Sequence, residues 1–566
     1  MGLFSAVEIG LALLVLLLGL TVPRLGQGKF EAAERLLGGL ARHPRRQILA
    51  VGLLAIALRA VMLPWLGMPE PSVHDETSML LQAQTFAAGR LANPPHPFWE
   101  HFETFYVNQL PAYSSMYFPG RGAPLAAGLW LANNAWLGVW LSMVLLCMGA
   151  TWMLQAWVGL PMALLGGVLV ALRLGMFSFW VNSYYGGAFT AFGAMLVIGA
   201  LPRILRQRRW PGGLVMGLGA VILMTSRPYE GALLCVPVAL ALLVGLYRQR
   251  KGEGARQILK AAFPALLMVG AGAAFMLQYN AATTGNALKT PYELNRATYA
   301  AVPAFLTALP VASLNQGPTY FQNYFSLEGQ SYQARQSPMQ LLRSMLAKLF
   351  YSWNFYIGAI LSTAFFCGLW ACRRNAFLCG ATGFFFAGYF LETWNFPQYT
   401  APVYPLLLVF TMRGFEWLRA PGGRRQASRL FLARAMPVAA AAVLALPVVS
   451  YIFGAPALDG HSIQAVCCTG PYDPVRPALR KELLASPGQD LVFIKDGMHN
   501  PAEYELVNNE PDIDKAAVVW AHRLNPEKDE RLQNYFAGRN VWEFEWLPDT
   551  DKGYRFTLLR PAQAQP

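Results

Sequence analysis

The stretch IGLALLVLLLGLTV (residues 9–22) carries no charge and is the first of a series of long apolar runs. A helix needs about 20 mainly apolar residues to cross the hydrocarbon core of a bilayer, which is about 30 Å thick. The series therefore predicts a mainly α-helical, polytopic membrane protein with about 12 transmembrane helices. The runs are Ile9–Val22, Ile48–Leu66, Leu137–Trp157, Met162–Trp180, Ala188–Leu205, Trp210–Thr225, Ala232–Tyr247, Ile258–Tyr279, Leu349–Trp370, Phe377–Leu391, Val403–Trp417 and Leu432–Phe453.

The charge distribution supports this interpretation. Only 13% of the 566 residues are charged, against about 25% in soluble domains. The net charge of +14 comes from Lys and Arg clusters between apolar runs, as expected for cytoplasmic loops, and no nucleic-acid-binding motif is present. The first run lacks a basic segment before it and a cleavage site, which favours an uncleaved anchor over a signal peptide. The clusters lie at Arg24–Arg46, Arg203–Arg209, Arg248–Arg256, Arg373–Arg374 and Arg419–Arg429.

The remaining connections are then predicted to face the periplasm or the cell exterior, with both termini. This orientation predicts a multi-pass protein of the bacterial inner membrane. The predicted outer segments are the loop 67–136, the turn 182–185, the turn 226–230, the loop 280–348, the turn 394–399 and the C-terminal tail.

The composition changes after Phe453, where charged residues return and long apolar runs stop. Four short apolar segments and a predicted helix over Pro526–Phe536 indicate a small α/β domain at 454–566, beside a transmembrane domain at 1–453. The adjacent Cys467 and Cys468 could form a disulfide or remain two thiols. The short segments are Leu491–Ile494, Ala517–Trp520, Val541–Phe544 and Tyr554–Leu559.

The outer loop 67–136 contains Asp75, which is the only aspartate before Asp459. The apolar spacing after it predicts an amphipathic helix over Thr77–Gly89, lying on the membrane surface. A second helix is predicted over Ala123–Asn133, following the segment Pro119–Gly122. Asp75 could therefore be a catalytic carboxylate or simply the N-cap of the first helix.

Four motifs in the predicted outer segments carry a resemblance to a known family: VHDE (73–76), YFPGRG (117–122), NSYYGG (182–187) and RPYEG (227–231). Together with the loop containing two interfacial helices, they resemble the GT-C superfamily of integral membrane glycosyltransferases. The protein O-mannosyltransferases and aminoarabinose transferases belong to that superfamily, and the motifs are closest to a bacterial branch grouped with membrane galacturonosyl and mannosyl transferases. The resemblance implies transfer of a hexosyl or pentosyl group, with inversion, from a polyprenyl-phosphate donor to a lipid, glycan or protein acceptor.

That reaction assigns candidate roles to residues. A base must accept the proton of the acceptor, and Asp75 with its neighbour Glu76 is the candidate. Cations must stabilise the leaving lipid phosphate, although arginines at helix ends also extend to lipid headgroups. Interfacial polar and aromatic side chains could bind sugar hydroxyls, although aromatic residues are enriched at interfaces anyway. The candidate phosphate ligands are Arg227, Arg121, Lys289 and Arg296, and the candidate substrate ligands are His74, Tyr184, Tyr185, Gln398 and Tyr399.

Three alternatives are considered from the sequence. His74, His96 and His101 with nearby carboxylates could hold a divalent cation, although their spacing matches no zinc pattern and a hydrogen-bonded loop is favoured. A lipid or polysaccharide transporter or flippase would also be polytopic, but such proteins usually show internal repeats and polar groups near the bilayer midplane. A non-catalytic assembly protein would not need so many polar residues in one outer loop.

Overall fold

The structure is a computed structural model, and it describes residues 3–71, 73–300, 302–308, 319–335, 337–423, 425–453, 475–495, 505–547, 549–550 and 552–562. The chain forms two compact units. The first unit comprises 1–69, 136–274 and 342–470, and the second comprises 70–135, 275–341 and 471–566. The division at 453/454 inferred from composition stays a prediction, and Cys467 and Cys468 lie outside the described residues.

Every predicted transmembrane run lies mainly on helix, which confirms the mainly helical fold class. The helices from the start of the chain are Leu3–Thr21, Gln27–Ala41, Pro44–Val61, Leu63–Leu66, Ala135–Leu154, Leu160–Leu174, Phe179–Asn182, Gly187–Gln207, Pro211–Ser226, Pro228–Arg248 and Glu253–Thr284. They continue with Pro338–Tyr356, Gly358–Cys372, Ala376–Tyr389, the 3-10 turns Pro397–Tyr399 and Ala401–Val403, Tyr404–Arg419, Gln426–Val443 and Ala445–Phe453.

Length and apolar composition identify the helices that can cross a membrane. Among the described residues six helices pass this test, or seven if one bent pair counts as a single span. Three further apolar helices are shorter: Leu160–Leu174, Pro211–Ser226 and Ala376–Tyr389. The protein is therefore a multi-pass membrane protein, but fewer helices reach full spanning length than the twelve predicted from the sequence.

The predicted single run Leu349–Trp370 is broken in the structure. Helix Pro338–Tyr356 and helix Gly358–Cys372 meet at an angle of 103°. Gly358 has a positive φ of 67°, a conformation that glycine adopts without strain. At the break Arg173 donates hydrogen bonds to the carbonyl oxygens of Phe355, at 2.8 Å, and Asn354, and it pairs with the buried Glu8 at 2.9 Å. The guanidinium thereby satisfies carbonyls that the break removes from the helix ladder.

Small residues determine how closely two helices of the first unit approach. A Cβ atom added at Gly368 would lie 1.7 Å from the carbonyl oxygen of Phe410, and one added at Gly414 would lie 1.7 Å from that of Ala364. Helices Gly358–Cys372 and Tyr404–Arg419 therefore pack backbone against backbone. Membrane helices commonly associate through such small residues, because lipid offers no hydrophobic drive for helix pairing.

The second unit combines short helices with two sheets. Its helices are His74–Ala87, Pro119–Ala132, Pro291–Tyr299, Thr319–Ala334, Val475–Ala485 and Pro526–Tyr535, with a 3-10 turn at Trp99–Phe102. Strands Val107–Asn108 and Ser114–Ser115 form a small antiparallel pair. The larger sheet has the order Val518–His522, Asp490–Lys495, Asn540–Trp546 and Tyr554–Arg560, with the first three strands parallel and the last antiparallel. The predicted C-terminal strands and helix are thus confirmed.

Alternate residues of the central strand face two different cores, as the two-residue period of a strand requires. Val492 and Ile494 pack with Leu479 and Leu483 of the helix on one face. Leu491 and Phe493 pack on the other face with Leu532 of the helix Pro526–Tyr535 and with Leu81, Phe102, Val107 and Tyr113 of the loop 67–136. The C-terminal sheet and this loop therefore share one hydrophobic core, which the sequence did not predict.

Candidate active site

Asp75 and Glu76 have different surroundings although they are adjacent. The first helix of the second unit begins at His74, with Val73 as its N-cap. The buried Glu76 carboxylate accepts a hydrogen bond from the Val73 amide at 3.4 Å, which completes the helix start. Asp75 is not the N-cap, and its side chain remains 23% exposed. The capping role considered for Asp75 therefore belongs to Glu76.

The Asp75 carboxylate is held by a phenol and a histidine. Tyr117 donates a short hydrogen bond to Asp75 Oδ1, and His74 Nε2 lies 3.7 Å from Asp75 Oδ2. Arg121 is buried and its guanidinium lies 5.6 Å from the centre of the Tyr117 ring. Arg121 therefore lies over the Tyr117 ring.

Gln82 fixes the backbone that carries Tyr117. Its amide donates to the Tyr117 carbonyl at 2.7 Å and to the Tyr279 hydroxyl at 2.7 Å, while its oxygen accepts from the Gly122 amide at 2.8 Å. A Cβ added at Gly122 would lie 2.7 Å from that oxygen, which explains the glycine in the YFPGRG motif. The motif itself begins the helix Pro119–Ala132, so the predicted helix start at Ala123 was too late by about one turn.

Three aromatic rings surround the His74 side chain, next to Asp75 in the chain. The His74 ring centre lies 4.9 Å from that of Phe105, 4.7 Å from that of Tyr106 and 5.6 Å from that of Tyr324. Tyr106 and Tyr324 share a hydrogen bond between their hydroxyls at 2.9 Å. Burial raises the pKa of Tyr106 well above its ordinary value and that of Tyr324 to about 12, so both phenols stay neutral. Tyr106 also has a positive φ of 60°, a strained conformation often found at functional sites.

Arg296 lies in the same unit but is already paired. It forms hydrogen bonds of 2.7 and 3.3 Å with the Glu328 carboxylate and one of 2.7 Å with the Val302 carbonyl. Burial alone would lower the pKa of Arg296, but Glu328 raises it above the ordinary value. Its guanidinium is therefore already paired, and its binding of the donor phosphate stays a prediction.

The second cluster lies in the first unit and centres on Arg227, the N-cap residue of helix Pro228–Arg248. Its guanidinium contacts the Glu230 carboxylate at 3.1 Å and lies 3.8 Å from the centre of the Tyr399 ring. Burial would lower the pKa of Arg227, but Glu230 and Tyr399 raise it, so the guanidinium remains charged.

Two charged residues that the sequence analysis did not select complete this cluster. Lys348 is fully buried and donates to the carbonyl oxygens of Tyr389, at 3.0 Å, and Glu392. Burial, with the nearby negative charge of Glu230, raises the pKa of Glu392 well above its ordinary value, against the opposing effect of Arg227 and Lys348. One buried oxygen of Glu392 has no hydrogen-bond partner among the described residues. A protonated Glu392 leaves two cations facing one carboxylate, and the cluster then has an excess of positive charge.

Of the four candidate substrate ligands of the first unit, Tyr184, Tyr185 and Gln398 are buried and Tyr399 is half-buried. The Tyr184 hydroxyl donates to the Pro69 carbonyl at 3.0 Å, and the Tyr185 ring packs 6.0 Å from that of Phe179. Gln398 is 2% exposed, and Tyr399 is occupied with Arg227. Of these four side chains Tyr399 contacts Arg227, and the binding of sugar by any of them stays a prediction.

The remaining candidates are spread out. Lys289 lies half-buried in the connection after helix Glu253–Thr284, and no carboxylate pairs with it within the described residues. His96 contacts Asp514 at 3.1 Å, and His101 contacts the His522 carbonyl at 2.8 Å, so both join the loop to the C-terminal sheet. Among the residues that the structure describes, no group of three or more His, Cys, Asp or Glu could hold a metal ion.

The residues missed by the sequence analysis had recognisable signals. Lys348 directly precedes the apolar run at 349–370, and Glu392 directly follows the run at 377–391. An isolated charge at the edge of an apolar run lies where burial is costly without a partner. Tyr106, Tyr324 and Glu328 carried no such signal. Tyrosines are frequent throughout the predicted loops, and Glu328 does not lie at the edge of an apolar run.

No protein-family model and no curated protein matches the chain. Among solved structures, the chain is similar to ArnT from Cupriavidus metallidurans in the apo state, with a TM-score of 0.47 and 13% identity over 87% of this chain and 92% of that one. The same protein bound to undecaprenyl phosphate has a TM-score of 0.44 and 13% identity over 88% of this chain and 92% of that one. A third structure is archaeal oligosaccharyltransferase AglB from Archaeoglobus fulgidus in complex with an inhibitory peptide and a dolichol-phosphate. Its TM-score is 0.42, with 10% identity over 91% of this chain and 74% of that one.

Both proteins are members of the GT-C superfamily that the sequence motifs resemble. Identities of 13% or less and TM-scores below 0.5 assign no activity to this chain. Its function is therefore inferred from its own side chains.

Proposed function

We propose that this protein is an integral membrane glycosyltransferase that moves a sugar from a polyprenyl-phosphate donor to an acceptor on the outer face of the bacterial inner membrane. The observation that carries the proposal is the Asp75 carboxylate, which is partly exposed, oriented by Tyr117 and relieved of helix capping by Glu76. A base that must reach an incoming acceptor needs this combination of fixed orientation and open access.

In the proposed step the acceptor oxygen or nitrogen attacks the anomeric carbon of the sugar. The bond from that carbon to the acceptor forms while the bond to the phosphate oxygen breaks, and the acceptor proton passes to Asp75. A single displacement of this kind inverts the configuration at the anomeric carbon. The leaving lipid phosphate is already anionic and needs cationic stabilisation rather than a proton.

Arg227 is proposed to bind the donor phosphate. Its guanidinium is held by Glu230 and Tyr399, and the nearby Lys348 adds positive charge around Glu392. An arginine that is already oriented loses less conformational entropy on binding a phosphate than a free one. Arg121, which backs Tyr117, is proposed to support the Asp75 side of the reaction instead.

The test uses the full-length protein purified in detergent and reconstituted with polyprenyl-phosphate sugars. Formation of a glycosylated acceptor by the wild type, with none by Asp75→Asn, supports the proposal. Movement of the lipid-linked sugar across vesicle membranes, without any new glycosidic bond, would instead identify a flippase. Mass spectrometry of lipids that co-purify with the protein tests the carrier, because a polyprenyl phosphate is expected there.

A further inference from the structure

A cavity of about 380 Å³ opens in the first unit at the ends of several helices, away from the Arg227 cluster. Its lining residues are Arg208, Arg209, Trp210, Pro211, Lys260 and Ala261, and no carboxylate is among them. Helix Pro211–Ser226 has the cavity at its first residue and Arg227 directly after its last. At 1.5 Å per residue the two ends are about 24 Å apart, so this cavity is not the proposed donor-phosphate site.

Two helices pack closely beside the cavity. A Cβ added at Gly213 would lie 2.2 Å from the carbonyl oxygen of Ala261, so helices Pro211–Ser226 and Glu253–Thr284 touch at this point. Only glycine permits such an approach, and Ala261 at this contact also lines the cavity. Trp210 and Lys260, which precede Gly213 and Ala261 in their segments, stand at the rim.

The three basic side chains differ in what holds them. Arg208 ends helix Gly187–Gln207 in the left-handed conformation and donates hydrogen bonds of 2.7 Å to each of Gln249 and Gln257. Neutral amides orient this guanidinium without cancelling its charge. Arg209 and Lys260 form no ion pair within the described part of the chain. The cavity therefore carries three positive charges that no carboxylate lining it compensates.

The surroundings of the cavity match a lipid better than a free anion. The Trp210 side chain is 61% exposed, a position typical of the membrane interface, and Leu214, Leu259 and Phe263 on the two adjoining helices are 39%, 52% and 52% exposed. Free phosphate has no apolar part that could contact these side chains, whereas a lipid has acyl chains. The Lys and Arg pattern of the sequence predicts that this end faces the cytoplasm, where the membrane surface is anionic.

We propose that this cavity binds the phosphate headgroup of an anionic membrane phospholipid, with Arg209 and Lys260 contacting the phosphate, Arg208 adding charge and Trp210 covering the upper acyl chains. Basic pockets between transmembrane helices on the cytoplasmic side are suited to such headgroups. This site is independent of the proposed sugar transfer, and a failure of either proposal leaves the other intact.

The experiment measures binding of dioctanoyl phosphatidylglycerol to the full-length protein by native mass spectrometry, with dioctanoyl phosphatidylcholine as the neutral probe. The wild type should bind phosphatidylglycerol in preference, and Arg209→Gln/Lys260→Gln should bind it about 10- to 30-fold more weakly. The matched control is Lys251→Gln/Arg374→Gln, which removes one exposed Lys and one exposed Arg from the same predicted face without touching the cavity, and it should bind as the wild type does.

Three results would overturn the proposal. Equal losses in the two double variants would mean that only overall surface charge matters. Displacement of the lipid by millimolar inorganic phosphate would identify a free-phosphate site instead. Wild-type binding by the cavity variant would exclude the cavity altogether. Both substituted residues are exposed, so folding should be unaffected; if the double variant does not fold, the single variants Arg209→Gln and Lys260→Gln decide the matter.

Discussion

Asp75 with its partners Tyr117 and His74 (the Asp75 cluster) and the Arg227 cluster have opposite electrostatic character. Asp75 is a single, partly exposed carboxylate that accepts a hydrogen bond from Tyr117, and the tyrosines beside His74 stay uncharged. Arg227 belongs to a buried group in which it pairs with Glu230, and burial favours the protonated form of Glu392. An accessible base and a positively charged anion site call for these two environments. The candidate residues chosen from the sequence therefore lie in two different electrostatic environments.

The largest effect on the rate of sugar transfer is expected at the proposed base, Asp75. Asp75→Asn should lower kcat for sugar transfer about 100- to 10,000-fold, because the amide cannot accept the acceptor proton. Single-turnover transfer with saturating donor measures this directly. Glu76→Gln is the matched control and should lose stability rather than chemistry, since its carboxylate caps the helix. Full activity in Asp75→Asn would remove the residue from the base role.

The next effect tests the anion site. Arg227→Gln should reduce kcat/KM for the polyprenyl-phosphate donor about 10- to 100-fold, the range expected when a charge-assisted hydrogen bond to phosphate is lost. The single variant also leaves Glu230 buried without its partner, which is itself destabilising.

The double variant Arg227→Gln/Glu230→Gln separates these contributions, because it keeps the local charge balance. A donor defect that persists in the double variant belongs to the lost guanidinium. Recovery of normal donor use in the double variant would show that Arg227 serves only to neutralise Glu230.

A smaller effect is expected from the group that orients the base. Tyr117→Phe removes the hydrogen bond to Asp75 and should lower kcat about 10-fold with little change in donor KM, since a hydrogen bond to a charged group contributes about 1.5 kcal/mol or more. Tyr113→Phe is the control, because that buried phenol donates to the Asn509 carbonyl in the same unit but does not contact Asp75. Equal losses in both variants would reduce Tyr117 to a packing role.

The contrast between the clusters also marks what the sequence could predict. Apolar runs and Lys/Arg clusters were enough for the helical body, and the scarcity of aspartate singled out Asp75. The break at Ile357 could not be predicted, because it depends on Arg173 and Glu8, which are more than 150 residues from it along the chain. Similarly, the sequence did not show that Glu76 accepts a hydrogen bond from the Val73 amide or that Arg296 pairs with Glu328. Periodicity shows where an element lies, but long-range pairing decides which charge remains available.

The smallest expected effect concerns the protonation of Glu392 and appears in stability rather than rate. Burial and Glu230 raise the pKa of Glu392 well above its ordinary value, so the folded protein binds a proton there more tightly than the unfolded chain. The resulting stabilisation is fully present below the ordinary glutamate pKa of about 4.3 and is lost as the pH rises through the raised value. Glu392→Gln mimics the protonated form and should remove this dependence.

Thermal unfolding in detergent, measured at a series of pH values from about 5 to 9, tests this expectation. The Tm of the wild type should fall relative to that of Glu392→Gln as the pH increases. Glu253→Gln, which replaces an exposed glutamate without an ion pair in the described residues, should follow the wild type. Parallel curves for Glu392→Gln and the wild type would mean that Glu392 is ionised throughout. The Arg227 cluster would then have two carboxylates and two cations. Without an excess positive charge, the main argument for phosphate binding at this cluster would be removed.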